Sequence, residues 1–159
     1  MLLEVLPSSL YESPNIEVIL KNKNSSIIFK SLSKNLENKK MYISSVAVLL
    51  VMEGEQNIKN YDGADLIVKE NEMVVLPKDL YVVSDFVTKD NAFKAYVFFI
   101  DDLIIKKYLL LNQHEPVKTK NKNQVLKTKI NHQISHYIES LNEVYKKQKS
   151  NKSLSKLKF

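Results

Sequence analysis

From Asn15 to Ile100 the sequence reads as about eight short extended runs divided by turns, and after Ile100 the apolar spacing turns helical. That single change of period restricts the chain to a β-rich body followed by helix. "NIEVIL" (15–20) and "SSIIFKSL" (25–32) predict a hairpin across "KNKN", since asparagine tolerates positive φ. "NLENKK" reads as a polar loop, and "MYISSVAVLLVM" (41–52) as one long strand, buried at its centre. "EQNIKNY" alternates and stops at Asp62-Gly63, a strong tight-turn pair. "ADLIVK", "EMVVL", "LYVVSDF" and "FKAYVFFI" (93–100) complete the set, which fits an antiparallel sandwich or a small barrel.

Beyond Ile100, Asp101 or Asp102 is placed to cap a short helix over "LIIKKYLLLNQ", ended by His114-Glu115-Pro116. "VKTKNKNQ" then reads as a flexible connector. From Val125 to about Lys147, Ile130, Ile134, Tyr137, Ile138, Leu141, Val144 and Tyr145 fall at spacings of three and four, which predicts a long amphipathic helix. The remaining lysine-rich tail reads as frayed. Such a stripe serves equally well to pack on the chain's own sheet or to meet its copy in a second chain. Two parts are expected: a body over 1–116, and a connector, helix and tail over 117–159.

Charge follows the same division. Eleven lysines between Val117 and Phe159 oppose Glu139 and Glu143, a local +9 within a chain total of +6, which leaves −3 for residues 1–116. Every basic residue is lysine, and arginine is the usual donor for bidentate reading of guanine, so base-specific DNA recognition is not expected within these residues. A lysine tail suits non-specific phosphate binding, but a solvated tail is the simpler reading. With no cysteine, disulfide and thiolate chemistry are excluded. The acidic residue at position 4 makes "MLLEVLPSSLYE" a poor signal peptide, and no apolar run nears the roughly 20 residues that span a bilayer. A soluble, cytoplasmic protein without membrane contact is expected.

Catalytic signals are missing. The first histidine is His114, so a histidine-ligated metal site in the β body is excluded, and no cofactor is expected. His132 and His136 stand at i and i+4, a spacing a metal could use, but no third ligand lies nearby in sequence. Two glycines in the whole chain leave no phosphate-cradling loop. The serines at 25–26 and 44–45 lack a nucleophile-elbow setting. No enzyme activity is expected.

Three segments together resemble the N-terminal regulatory domain of AraC-type transcription regulators: "VAVLLVMEGEQNI", "LIVKENEMVVLPKDLYVVS" and "AYVFFIDDLIIKKYL", over about Val46 to Tyr108. Asn71 and Asp79 stand where that family commonly has glycine, and both residue types tolerate left-handed turns. The resemblance implies a mainly β chain: a cupin-like antiparallel barrel (double-stranded β-helix) followed by two helices, of which the second forms a homodimer. It also implies a barrel that senses a small apolar or weakly acidic effector, with the DNA-binding half outside this chain. On that reading Tyr42 or Tyr96 would orient a polar end, and Lys21 or Lys30 would meet a fatty-acid carboxylate. The alternative expectation is a stand-alone, metal-free cupin-like protein that binds small molecules.

Overall fold

The computed structural model describes residues 3–22, 25–103 and 125–157, with side chains as far as 144. It divides into one unit over Met1–Lys129 and a second over Ile130–Phe159. The first unit is built of strands β1 (Glu4–Leu6), β2 (Ile16–Asn22), β3 (Ser25–Leu32), β4 (Leu36–Ile43), β5 (Val46–Glu53), β6 (Glu55–Asn60), β7 (Asp65–Val68), β8 (Glu72–Leu76), β9 (Asp79–Phe86), β10 (Phe93–Ile100) and β11 (Leu126–Lys129). A single 3-10 turn, Ser8–Leu10, follows β1. The second unit holds helix α1, His132–Leu157.

Two sheets form, ordered β1-β4-β9-β6-β7 and β11-β8-β5-β10-β3-β2. Every pairing is antiparallel except β1 with β4. The pairs nest: β3 with β10, β4 with β9, β5 with β8 and β6 with β7, alternating between the sheets. That nesting is the order of a double-sheet jelly roll. The core lies between the inner faces, where Ile28, Val51, Ile58, Val68, Val74, Phe93 and Phe99 are almost wholly buried. Each such aliphatic or aromatic side chain contributes about 1.5–3 kcal/mol on removal from water.

Several expectations hold. β2 and β3 are an antiparallel pair, and β10 has the bounds read from its apolar run. The Asp62-Gly63 turn forms with Gly63 at φ +93, its Asn60 carbonyl oxygen Oδ1 accepting from the backbone N–H groups of Asp62 and Ala64. Asn71 takes a left-handed φ of 65 in the turn before β8.

Others are corrected. "NLENKK" is not a loop but most of β4, because Met41 and Ile43 face the core and β9 pairs with Leu36, Lys39 and Lys40, while Lys40 and Glu37 face solvent. The run 41–52 is not one strand. It breaks at Ser44-Ser45, where the chain leaves one sheet for the other and Ser44 ties to Leu6 through both its N–H (3.0 Å) and its hydroxyl (2.7 Å). The last helix starts at His132 rather than Val125, with Asn131 Oδ1 accepting from the Ile134 N–H at 2.9 Å. Residues 126–129 are instead an edge strand on β8. The helix also continues to Leu157 instead of fraying after Lys147. Of the expected first helix, Asp102 and Leu103 are helical and Asp101 Oδ1 accepts from the Leu103 N–H at 3.3 Å; the remainder, with the 117–124 connector, lies outside the described residues. The sheets make a two-layer body, and a closed barrel is not observed among the described residues.

Candidate functional site

Between the sheets the core leaves a cavity of about 270 Å³. Strand alternation sets its walls: Ile28 and Leu32 of β3, Leu49 of β5, and Val97 and Phe99 of β10 on one side, Met41, Ile43 and Val83 on the other. Three polar side chains stand on these same inward faces: Lys30 on β3, Gln56 on β6 and Asp85 on β9. Glu4 and Lys39 add charge to the lining, both partly exposed.

The three inward polar groups touch. Lys30 Nζ donates to Asp85 Oδ2, an ion pair that joins the two sheets, with side chains 14% and 3% exposed. Gln56 and Asp85 are cross-strand partners, and Gln56 Nε2 donates to Asp85 Oδ1 at 2.6 Å. Both carboxylate oxygens are thereby occupied. The amide orientation follows from chemistry, since the NH₂ group, not the carbonyl, must face a carboxylate. Gln56 Oε1 is therefore turned away from Asp85 and has no hydrogen-bond partner, although Gln56 is 3% exposed. Buried polar atoms in folded proteins are almost always satisfied, so an orphan carbonyl oxygen beside an ion pair is an unusual feature. The Lys30 ammonium also lies 5.9 Å from the centre of the Phe93 ring.

Of the four ligand contacts expected from sequence, Lys30 lines this cavity and the other three do not. Tyr42 alternates with Met41 and Ile43, so it faces away from the cavity and is 39% exposed. Tyr96 alternates with Val97 and lies on the opposite face of its sheet, its ring 4.9 Å from that of Phe29. Lys21 lies over the Tyr11 ring at 4.1 Å, beside a separate polar hollow bounded by Lys78 and Asp102. There Lys78 donates to Asp102, a hydrogen bond that raises the lysine above its ordinary 10.5. Asp85 and Gln56 escaped the sequence reading, yet period two marks them: each falls in line with buried apolar neighbours, Val83 for Asp85 and Ile58 for Gln56.

The dimerisation stripe is unevenly covered. Ile138 and Leu141 are 3% and 7% exposed, Ile130 and Ile134 are intermediate, and Tyr137 and Val144 are about half exposed. The side chain of Tyr145 lies outside the described residues. His132 and His136 approach at 3.0 Å between Nε2 atoms, one ring donating to the other, and both are exposed. Among the described residues no three metal-type ligands come together. No helix among them is long and apolar enough to cross a membrane.

The family described as the ExsA N-terminal regulatory domain matches residues 46–159. No curated protein matches in sequence. Among solved structures, the chain resembles an apo, substituted ToxT from Vibrio cholerae, at TM-score 0.61 and 14% identity over 77% of this chain and 48% of that one. It resembles wild-type ToxT of the same organism, described as bound to an unsaturated fatty acid, at TM-score 0.54 and 14% identity over 80% and 47%. A third ToxT structure, bound to (E)-4-(8-methylnaphthalen-1-yl)but-3-enoic acid, gives TM-score 0.53 and 18% identity over 77% and 49%. The chain spans about half the length of these ToxT structures.

Proposed function

The chain belongs to the ExsA N-terminal regulatory domain family, a regulatory domain of AraC-type transcription regulators, and we propose that it works by holding a small apolar effector between its two sheets. The observation that carries this reading is the mostly apolar cavity between the sheets, with one polar cluster, Lys30–Asp85–Gln56, in its wall. Pockets that retain small ligands have this make-up: apolar walls for affinity and a few convergent polar groups for orientation. The named ligands of the ToxT structures, a fatty acid and a naphthyl-substituted butenoic acid, support an apolar occupant. Lys30 is the candidate contact for its polar end. The nested strand pairs support a cupin-like double-stranded β-helix as the family's common frame. The role is regulatory rather than catalytic and is placed in the cytoplasm, with DNA binding assigned to a separate part of the whole regulator.

Dimerisation through α1 completes the proposal. Tyr137 and Val144, about half exposed and seven residues apart on one helix face, are the candidate contacts with a second copy. Native mass spectrometry and thermal-shift screening of the purified chain test the effector reading. A retained or stabilising apolar small molecule is expected; a screen that returns nucleotides or phosphosugars alone refutes it.

A further inference from the structure

We propose that the first turn of α1 carries a chelating site for a late first-row divalent cation, with the rings of His132 and His136 as its two ligands. The site is independent of the cavity. One helical turn separates the histidines, the spacing at which two rings on one face can share a metal. Their Nε2 atoms already stand 3.0 Å apart, with the ring centres at 4.4 Å. With metal–nitrogen bonds of about 2.0–2.1 Å, that separation subtends roughly 90–100° at a shared ion, the cis angle of a square-planar or tetragonal site. A tetrahedral ion would need roughly 3.3–3.4 Å between the nitrogens. The geometry therefore points to Cu(II) or Ni(II), which also bind nitrogen ligands strongly for their row. Both rings are exposed, so each can turn a lone pair onto the ion in place of the hydrogen bond they share.

The charge around the pair is a second, independent observation. Residues 117–159 carry eleven lysines and two glutamates, yet no lysine falls between His132 and Tyr145. Both glutamates do. His132, His136, Glu139 and Glu143 follow one another at i, i+4, i+7 and i+11, within about 60° around the helix. Glu139 Oε2 lies 3.8 Å from His136 Nδ1, so a carboxylate stands beside the ring nitrogen that would not bind, as is usual for metal-bound histidine. Lys146 is about 15 Å along the axis from His136, more than a Debye length in physiological salt. The buried Ile138 and Leu141 occupy the opposite side of the helix, so an ion on the histidine face disturbs no buried contact. In the H-E-x-x-H motif of metallopeptidases a glutamate follows the first histidine; here Gln133 does, so the role assigned is binding and not hydrolysis.

Calorimetric titration of the 159-residue chain with Cu(II) and with Ni(II) in a non-coordinating buffer tests the site, with electron paramagnetic resonance to count the nitrogens on Cu(II). One ion per chain with two ring nitrogens is expected. His132→Asn and His136→Asn should each weaken binding about tenfold or more, and the two together little further, because either loss breaks the chelate. The double variant keeps His114, so whatever it still binds belongs to other groups. The exchange Gln133→His with His136→Gln keeps the number of histidines but sets the helical pair about 100° apart, and it should bind no better than a single variant. Positions 132, 133 and 136 are all exposed, so each variant should fold, which circular dichroism checks. Undiminished affinity in the exchange or in either single variant overturns the inference, as does a parent chain that binds neither ion at micromolar concentrations. Each of these results leaves the effector reading standing.

Discussion

Removing Asp85 tests how the two sheets are held. In Asp85→Ala the Lys30 ammonium, on a side chain 14% exposed, loses its counter-ion, and the buried Gln56 NH₂ loses its acceptor. Breaking one side of a buried ion pair costs about 3–5 kcal/mol, because a desolvated charge is left unmatched. Folding stabilities are about 5–15 kcal/mol, so this is a large share, and for a chain of this length it lowers Tm by about 6–20 °C. Lys30→Met should cost a similar amount, with Asp85 now the orphan. The double replacement Lys30→Met/Asp85→Leu removes both charges at once and fills the space with apolar atoms. It should lie well short of the sum of the single effects, with the residual cost, about 1–3 kcal/mol, coming from the buried Gln56 NH₂ left without its acceptor. Urea denaturation with constant m-values measures all three. Singles within about 1 kcal/mol of the parent, as for an exposed pair, or a double that equals their sum, would refute the argument.

Three other expectations follow from local geometry. Gly54→Ala should destabilise by about 1–2 kcal/mol from the backbone alone, since φ is +90, and by more because the new Cβ would stand 2.5 Å from the Phe86 carbonyl oxygen; an unchanged urea midpoint contradicts this. Tyr81 is 1% exposed, its hydroxyl donates to the Pro77 carbonyl at 2.6 Å, and burial, more than nearby Asp79 and Asp62, raises it far above its ordinary 10.0. A raised acid is stabilising below its unfolded value and loses that contribution as pH climbs past it, so stability should decline above pH 10.0, and Tyr81→Phe should flatten that decline in denaturation curves at rising pH. Tyr137→Glu with Val144→Glu should weaken self-association without unfolding the β unit; sedimentation that finds the parent chain monomeric at micromolar concentrations ends the dimer proposal, and circular dichroism checks the fold.

Most of the strand set was legible because alternation is a local record of which side a backbone buries. "FKAYVFFI" and "EMVVL" became strands with the bounds their residues suggest. The Asp62-Gly63 turn was equally plain, because its geometry is set by residues that tolerate positive φ. Alternation also carried an unread message at Gln56 and Asp85, polar residues in step with apolar ones. Their position marks them as inward, but alternation cannot say that they touch. Lys30 and Asp85 are 55 residues apart and Gln56 and Asp85 are 29 apart, so their meeting depends on the register of strands drawn from across the chain.

The same limit explains the misread segments. Residues 126–129 carry two lysines and a threonine and would stay extended for no local reason; the unpaired edge of β8 supplies their hydrogen-bond partners. "NLENKK" looks like a loop because it is mostly polar, and it is a strand because β9 offers it a hydrogen-bond ladder. Sequence alone determined a chain of short strands and turns with a terminal helix, empty of histidine and cysteine through residue 113. Tertiary structure decided which strands share a sheet, where the run 41–52 breaks, and that a lysine, an aspartate and a glutamine meet in the wall of one cavity. The division has a physical cause: periodicity is written by each residue's own neighbours, whereas pairing and cavity walls are chosen by the packing of segments that are strangers in sequence.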